Sequence, residues 1–224
     1  MGVLETLEGT LSTYCENGIG IFSTEPINTI SNIAILISAY FSYQLIRAHN
    51  IKNPTVRVLP VVVAFIGIGS ILRHGAPSIL TSFADTLPII VFAVISFYFL
   101  LDKILPNKRL VWGTVSAVLL VESPFLFGIL PTFNRFIVYS IVLIFGLFVF
   151  FDLARKYKKV LSQLVIISLL FTTSFFFRSI DLAICPAFPI GTHFLWHALN
   201  AVVFYLMARL IIEIETKKKL NLFL

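Results

Sequence analysis

The sequence predicts an all-α fold that crosses a membrane seven times, and three observations predict it. Of 224 residues, 58% are hydrophobic and only 12% are charged, about half the charged share of an ordinary soluble domain. Apolar stretches of about 17 residues or more, long enough for a helix to cross the hydrocarbon core, recur along the whole length. These stretches are continuous and not alternating, unlike the strands of a membrane barrel.

The expected spans are 27–47, 56–75, 86–102, 110–128, 134–153, 160–178 and 192–213. With short loops they use almost every residue, so the chain reads as one membrane domain over 1–224. Residues 1–26 form an N-terminal segment with Glu5, Glu8, Glu16 and Glu25 but no Lys or Arg. It has no apolar h-region and does not read as a secretory signal. Residues 214–224 form a short C-terminal tail. No internal repeat or low-complexity segment is visible.

Basic residues orient the bundle. Arg47, Lys52 and Arg57 flank the first loop, and Lys103, Lys108 and Arg109 the third. Arg155, Lys156, Lys158 and Lys159 fill the fifth loop, and Arg209, Lys217, Lys218 and Lys219 mark the C-terminus. That puts 14 of the 17 Lys and Arg on one side; only Arg73, Arg135 and Arg178 lie near the other. By the positive-inside rule the basic side is cytoplasmic, with the N-terminus outside and the C-terminus inside. The net charge of +6 is thus a topology signal, not a nucleic-acid footprint.

On this map the polar residues gather at the outer face. His74 ends the second span, Asp85 opens the third, Asp181 follows the sixth, and His193 and His197 begin the seventh. Only His49, of the four histidines, falls on the cytoplasmic side. The spacing in Gly191-Thr-His-Phe-Leu-Trp-His197 puts two imidazoles on one helix face a turn apart, which suits two ligands of one tetrahedral metal ion. A catalytic zinc site takes three protein ligands and keeps a fourth position open; His74 supplies the third. Ser70 lies one turn before His74. Its plainer reading is a hydroxyl bonded to its own backbone, and that of His74 is an interfacial ring.

Asp85 has two readings: a cap of the third helix ahead of Thr86-Leu87-Pro88, or a general base for a zinc-bound water whose pKa is near 7. Asp181, three residues after Arg178, reads as a helix-end ion pair. Glu122 lies inside the apolar fourth span, where carboxylates are functional by default, with no partner to name. Tyr139 and Trp196 read as packing or interfacial residues. Cys15 and Cys185, on the same oxidising side, are expected to form a disulfide; the alternative is two inert thiols. There is no HExxH, GxSxG, Walker or GxGxxG motif, so serine-hydrolase and nucleotide chemistry lack motif support.

These residues resemble the alkaline ceramidase family, part of a superfamily of seven-helix membrane hydrolases that includes the progestin and adipoQ receptors. The family pattern is Ser-x3-His, an Asp eleven residues on, and a late His-x3-His. Here these are Ser70, His74, Asp85, His193 and His197. Tyr14-Cys-Glu-Asn17 and Glu25-Pro-Ile-Asn-Thr-Ile-Ser-Asn32 are similar to the N-terminal segment that separates the ceramidase branch from the receptors. The resemblance spans essentially the whole chain.

The resemblance implies that His74, His193 and His197 bind zinc. A water would attack a ceramide-like lipid amide, with Asp85 moving the proton and Ser70 holding the oxyanion. It also implies a calcium site, with Glu16, Asn17 and Glu25 as candidate oxygen ligands. Thr13 stands where the family has an acidic residue, and Glu16 to Glu25 is two residues shorter than the family spacing. The compact chain looks like bacterial members, implying a plasma-membrane protein with its site towards the non-cytoplasmic side. Many bacteria make no ceramide, so the bond cut is an acyl amide or an ester. A lipid receptor with a structural zinc, and a small transporter with a proton relay, are the alternatives. The clustering of polar residues at one face and the lack of interrupted, repeated helices speak against transport.

Overall fold

In the computed structural model the description covers residues 14–16, 24–126 and 134–219, without the side chains of 121–138, 159 and 217–219. Every regular element among them is helical. The elements are α1 (Pro26–Ser31), α2 (Ile33–Ala48), α3 (Pro54–Arg57), α4 (Leu59–Gly75), α5 (Ile79–Ile104), α6 (Lys108–Leu126), α7 (Asn134–Lys156), α8 (Leu161–Ile184) and α9 (His193–Lys219), with a 3₁₀ turn at Lys158–Val160. Seven of these helices are long, matching the seven expected spans. Among the described residues, five stretches are long and apolar enough to cross a membrane: Pro26–Ala48, Pro54–Gly75, Ile79–Ile104, Leu161–Ile184 and His193–Thr216. The other two long helices, α6 and α7, have 19 and 23 residues, which at about 1.5 Å per residue is close to a bilayer core.

Local chemistry starts the helices. Pro26 and Pro54 sit in the first turns of α1 and α3, where a missing N–H is no loss. Asn53 accepts a bond from Thr55 N–H at 3.1 Å. A capping box opens α5: Ser78 Oγ accepts from Thr81 N–H at 3.1 Å, and Thr81 Oγ1 accepts from Ser78 N–H at 2.8 Å.

Two expectations are corrected. The third helix begins at Ile79 rather than 86, so Asp85 lies inside α5 and does not cap it. Hydropathy falls at Ser78, Ser82 and Asp85, but the helix is continuous because the cap lies upstream. The sixth helix likewise runs to Ile184, six residues past the expected end. Asp181 is therefore within α8.

α4 packs along α5, α9 against α8 and α2, and α2 against α4. Their shared core includes Leu59, Val63, Ile66, Leu100, Leu210 and Ile211, all essentially solvent-free. Outward faces carry Ile30, Phe65, Leu80, Phe148 and Leu169, all exposed. Such an apolar exterior suits lipid, against which it needs no cover. Buried polar groups concentrate at one end: Glu16, Glu25, Asn28, Asn32, Ser70, Arg73, His74, Asp181, Thr192, His193, His197 and Asn200.

Candidate metal centre

His74 closes α4, and His193 and His197 open α9. All three are buried, 1–2% exposed, and each offers a donor atom within 4.8 Å of the others. Their ring centroids stand 4.6 to 5.1 Å apart. Three nitrogens on one tetrahedral zinc, each at about 2.0–2.1 Å, lie about 3.3 Å apart, so the rings are gathered within reach of a common ion. Nitrogen-only imidazole donors suit zinc and other borderline transition metals rather than calcium or magnesium.

The outer ring nitrogens are engaged by the segment around α1. Glu25 Oε2 lies 2.6 Å from His74 Nδ1, with both side chains buried. Ser31 Oγ lies 2.8 Å from His197 Nδ1. A metal-bound imidazole typically donates its other N–H to such a partner, which fixes its tautomer and ring plane. With Nδ1 so engaged, Nε2 is the ring nitrogen through which His74 and His197 would meet an ion. Glu25 is held in turn by Asn28 Nδ2 at 2.9 Å. Backbone bonds from Glu25 N to His74 O at 3.1 Å and Thr24 N to Gly75 O at 3.3 Å dock this segment on the end of α4. Sequence reasoning missed Ser31; its place within the Asn28-to-Asn32 motif was the available signal.

A second strap crosses the site. Tyr14 stacks on His193 with centroids 3.6 Å apart and lies 5.3 Å from His74. The next residue, Cys15, forms a disulfide with Cys185. Glu16 then turns back to α1, accepting bonds from Ile27 N and, at 2.7 Å, Asn28 N. Burial pushes the Glu16 pKa above its ordinary range; the Asn28 and Ile27 N–H groups oppose this, while Glu25 and Asp181 add to it. Of the candidate calcium ligands, Glu16 and Glu25 are thus both buried here, and Asn17 lies outside the described residues.

Asp181 does not pair with Arg178. Its Oδ1 accepts from Thr192 N at 2.7 Å and His193 N at 2.9 Å, and its Oδ2 from Cys15 N at 3.0 Å. One carboxylate thereby caps α9, where a negative charge meets the positive end of the helix dipole, and holds the Tyr14 strap. Gly191 makes this fit. Its φ is +70°, and a Cβ there would lie 2.2 Å from Asp181 Oδ1.

On the opposite wall, Ser70 is buried one turn before His74. Beside it, Gly69 lets α4 touch α5: an added Cβ would stand 2.0 Å from Ala84 O and 2.9 Å from Asp85 N. This contact brings the start of Asp85 against the Gly69-Ser70 step. Asp85 itself is half-buried and acts electrostatically on Arg178. The Glu122 side chain lies outside the described ones. Tyr139 and Trp196 pack edge to face at 4.9 Å.

Fold and site together define a helical membrane protein with a buried group of three histidines that could hold a metal ion at one end of the bundle. The family model named Ceramidase matches residues 11–221, and the chain belongs to that family. Membership implies a hydrolase acting on amide bonds, with a lipid substrate and a place in the membrane. No curated protein matches the chain.

Proposed function

We propose that this protein is a zinc-dependent intramembrane hydrolase that cleaves the amide of ceramide or a ceramide-like acylated lipid. The observation that carries this reading is the buried group of His74, His193 and His197 with donor atoms within 4.8 Å, in a chain of the ceramidase family. These three side chains hold the ion, His74 and His197 through Nε2. A bound zinc supplies a Lewis acid and acidifies its water to a pKa near 7.

The chain's own groups do the rest. Asp85 takes a proton from the attacking water as its oxygen bonds to the amide carbon. The Ser70 hydroxyl donates to the oxygen that gains charge. Asp85 then returns the proton to the amide nitrogen, the C–N bond breaks, and the acid formed passes its remaining proton to the amine, so that a fatty carboxylate and an ammonium separate.

We place the site on the non-cytoplasmic side, because 14 of 17 basic residues fall at the other end. A disulfide beside the site accords with an oxidising compartment. We carry calcium at Glu16, Asn17 and Glu25 as a separable element of the proposal. Glu25 adds to the raised proton affinity of Glu16, and a hard cation would relieve that. Its test is the thermal transition after a chelator that spares zinc; no shift removes calcium.

The main test is metal content followed by a lipid panel, reading released fatty acid by mass spectrometry. About one zinc per chain and release from acyl amides are expected. Stoichiometric lipid binding without turnover would instead mark a sensor with a structural zinc.

A further inference from the structure

Arg178 has no role in the chemistry above, yet a cation within a span is costly and is usually functional. The expected partner, Asp181, is taken by three backbone N–H groups. The guanidinium is instead surrounded by rings. Its central carbon stands 5.6 Å from the Tyr14 ring, 5.0 Å from Tyr139 and 5.1 Å from Trp196. Such contacts set the guanidinium over the ring faces, and Tyr14 also takes a hydrogen bond from it; the planar fork carries five N–H donors in all.

This group belongs to the metal centre by position. Tyr14 stacks on His193, Trp196 precedes His197 in α9, and Arg178 acts electrostatically on His197. Asp85 acts on Arg178 from α5. The cation thus lies level with the histidines, on the wall built by α7, α8 and α9.

We propose that Arg178, framed by Tyr14, Tyr139 and Trp196, is the seat for the fatty carboxylate that amide cleavage releases. This rests on the hydrolase reading above. Hydrolysis turns a neutral acyl carbonyl into a monoanion, and the planar fork of arginine matches a carboxylate with two parallel bonds. A dianionic headgroup fits less well, because Asp85 acts on the same guanidinium from α5. In this arrangement Arg178 binds product more tightly than substrate, so free fatty acid inhibits turnover and its departure limits the rate.

The test uses zinc-loaded, detergent-solubilised full chain and displacement of a fluorescent fatty acid by oleate or by uncharged oleyl alcohol. Wild-type protein is expected to bind oleate at least about tenfold more tightly than the alcohol, the size of one charge-assisted hydrogen bond. Arg178→Gln should erase that preference with alcohol affinity and zinc content unchanged. Arg178→Lys, which keeps the charge without the fork, should retain part of it and serves if Arg178→Gln does not fold. Equal affinity for acid and alcohol in the wild type overturns the proposal. So does an equal loss for both ligands in the variants, which is what a merely structural arginine gives. Wild-type turnover decides the hydrolase reading separately: a chain that binds acid through Arg178 but never cleaves an amide keeps the seat and loses that reading.

Discussion

The carboxylate of Glu25 and the imidazole of His74 form a buried pair, 2.6 Å from Oε2 to Nδ1. Glu25 comes from the chain just ahead of α1 and His74 from the last turn of α4, so the pair joins the N-terminal segment to the three-histidine group. Partners of this kind orient a metal-bound imidazole and raise its basicity, and their removal costs about 10–100-fold in metal affinity. Glu25→Ala should weaken zinc binding by that factor in competition with a chelator of known affinity, and Glu25→Gln by less, since it keeps one oxygen acceptor. Unchanged zinc affinity in Glu25→Ala would show that the pair has no part in holding the ion.

Ser31 stands to His197 as Glu25 stands to His74, but through a neutral hydroxyl at 2.8 Å. A neutral hydrogen bond contributes about 1 kcal/mol, so Ser31→Ala should lower zinc affinity by roughly fivefold. Ser31→Thr keeps the hydroxyl and should restore most of it. The spectrum of the cobalt-substituted protein gives an independent reading, because a loosened ring changes the ligand field whether or not turnover changes.

How far the site was legible in the sequence depended on how much each residue stood out. Histidines and aspartates in an apolar chain announce themselves, and helical spacing puts His193 with His197 and Ser70 with His74. The seven helices were legible for the same reason, from continuous hydropathy. Boundaries were not: Asp85 and Asp181 look like helix ends, yet both lie inside helices, because the capping box at Ser78 and Thr81 starts α5 upstream of Asp85 and α8 runs past Asp181 to Ile184. The roles of Gly69 and Arg178 depend on which helix is the neighbour, and no local pattern carries that.

Asp181 joins three pieces of chain, so its loss should be felt as instability before it is felt as lost chemistry. Asp181→Ala leaves the N–H groups of Cys15, Thr192 and His193 without their acceptor. Each bond to a charged group contributes about 1.5–3 kcal/mol, so a loss of several kcal/mol is expected, read as a large drop in thermal midpoint in detergent. Asp181→Asn keeps one acceptor oxygen and should sit between. Equal midpoints for wild type and Asp181→Ala would refute the organising role.

Gly69 offers a way to disturb the geometry of Asp85 while leaving the histidines in place. A Cβ at this position would meet Ala84 O at 2.0 Å, far inside contact distance, and the obstacle is backbone, which cannot rotate away. Gly69→Ala should push α5 from α4 and shift Asp85 relative to Ser70. A displacement of about 1 Å at a reacting group can lower turnover roughly 100-fold, so kcat should fall steeply with about one zinc still bound. Gly113→Ala is the matched control, because a Cβ there has nothing within 4 Å. Replacing a helical glycine by alanine in open space stabilises by up to about 1 kcal/mol, so this variant should keep activity and gain slightly in thermal midpoint. If both variants behave alike, the close approach of α4 and α5 at Gly69 does not position Asp85.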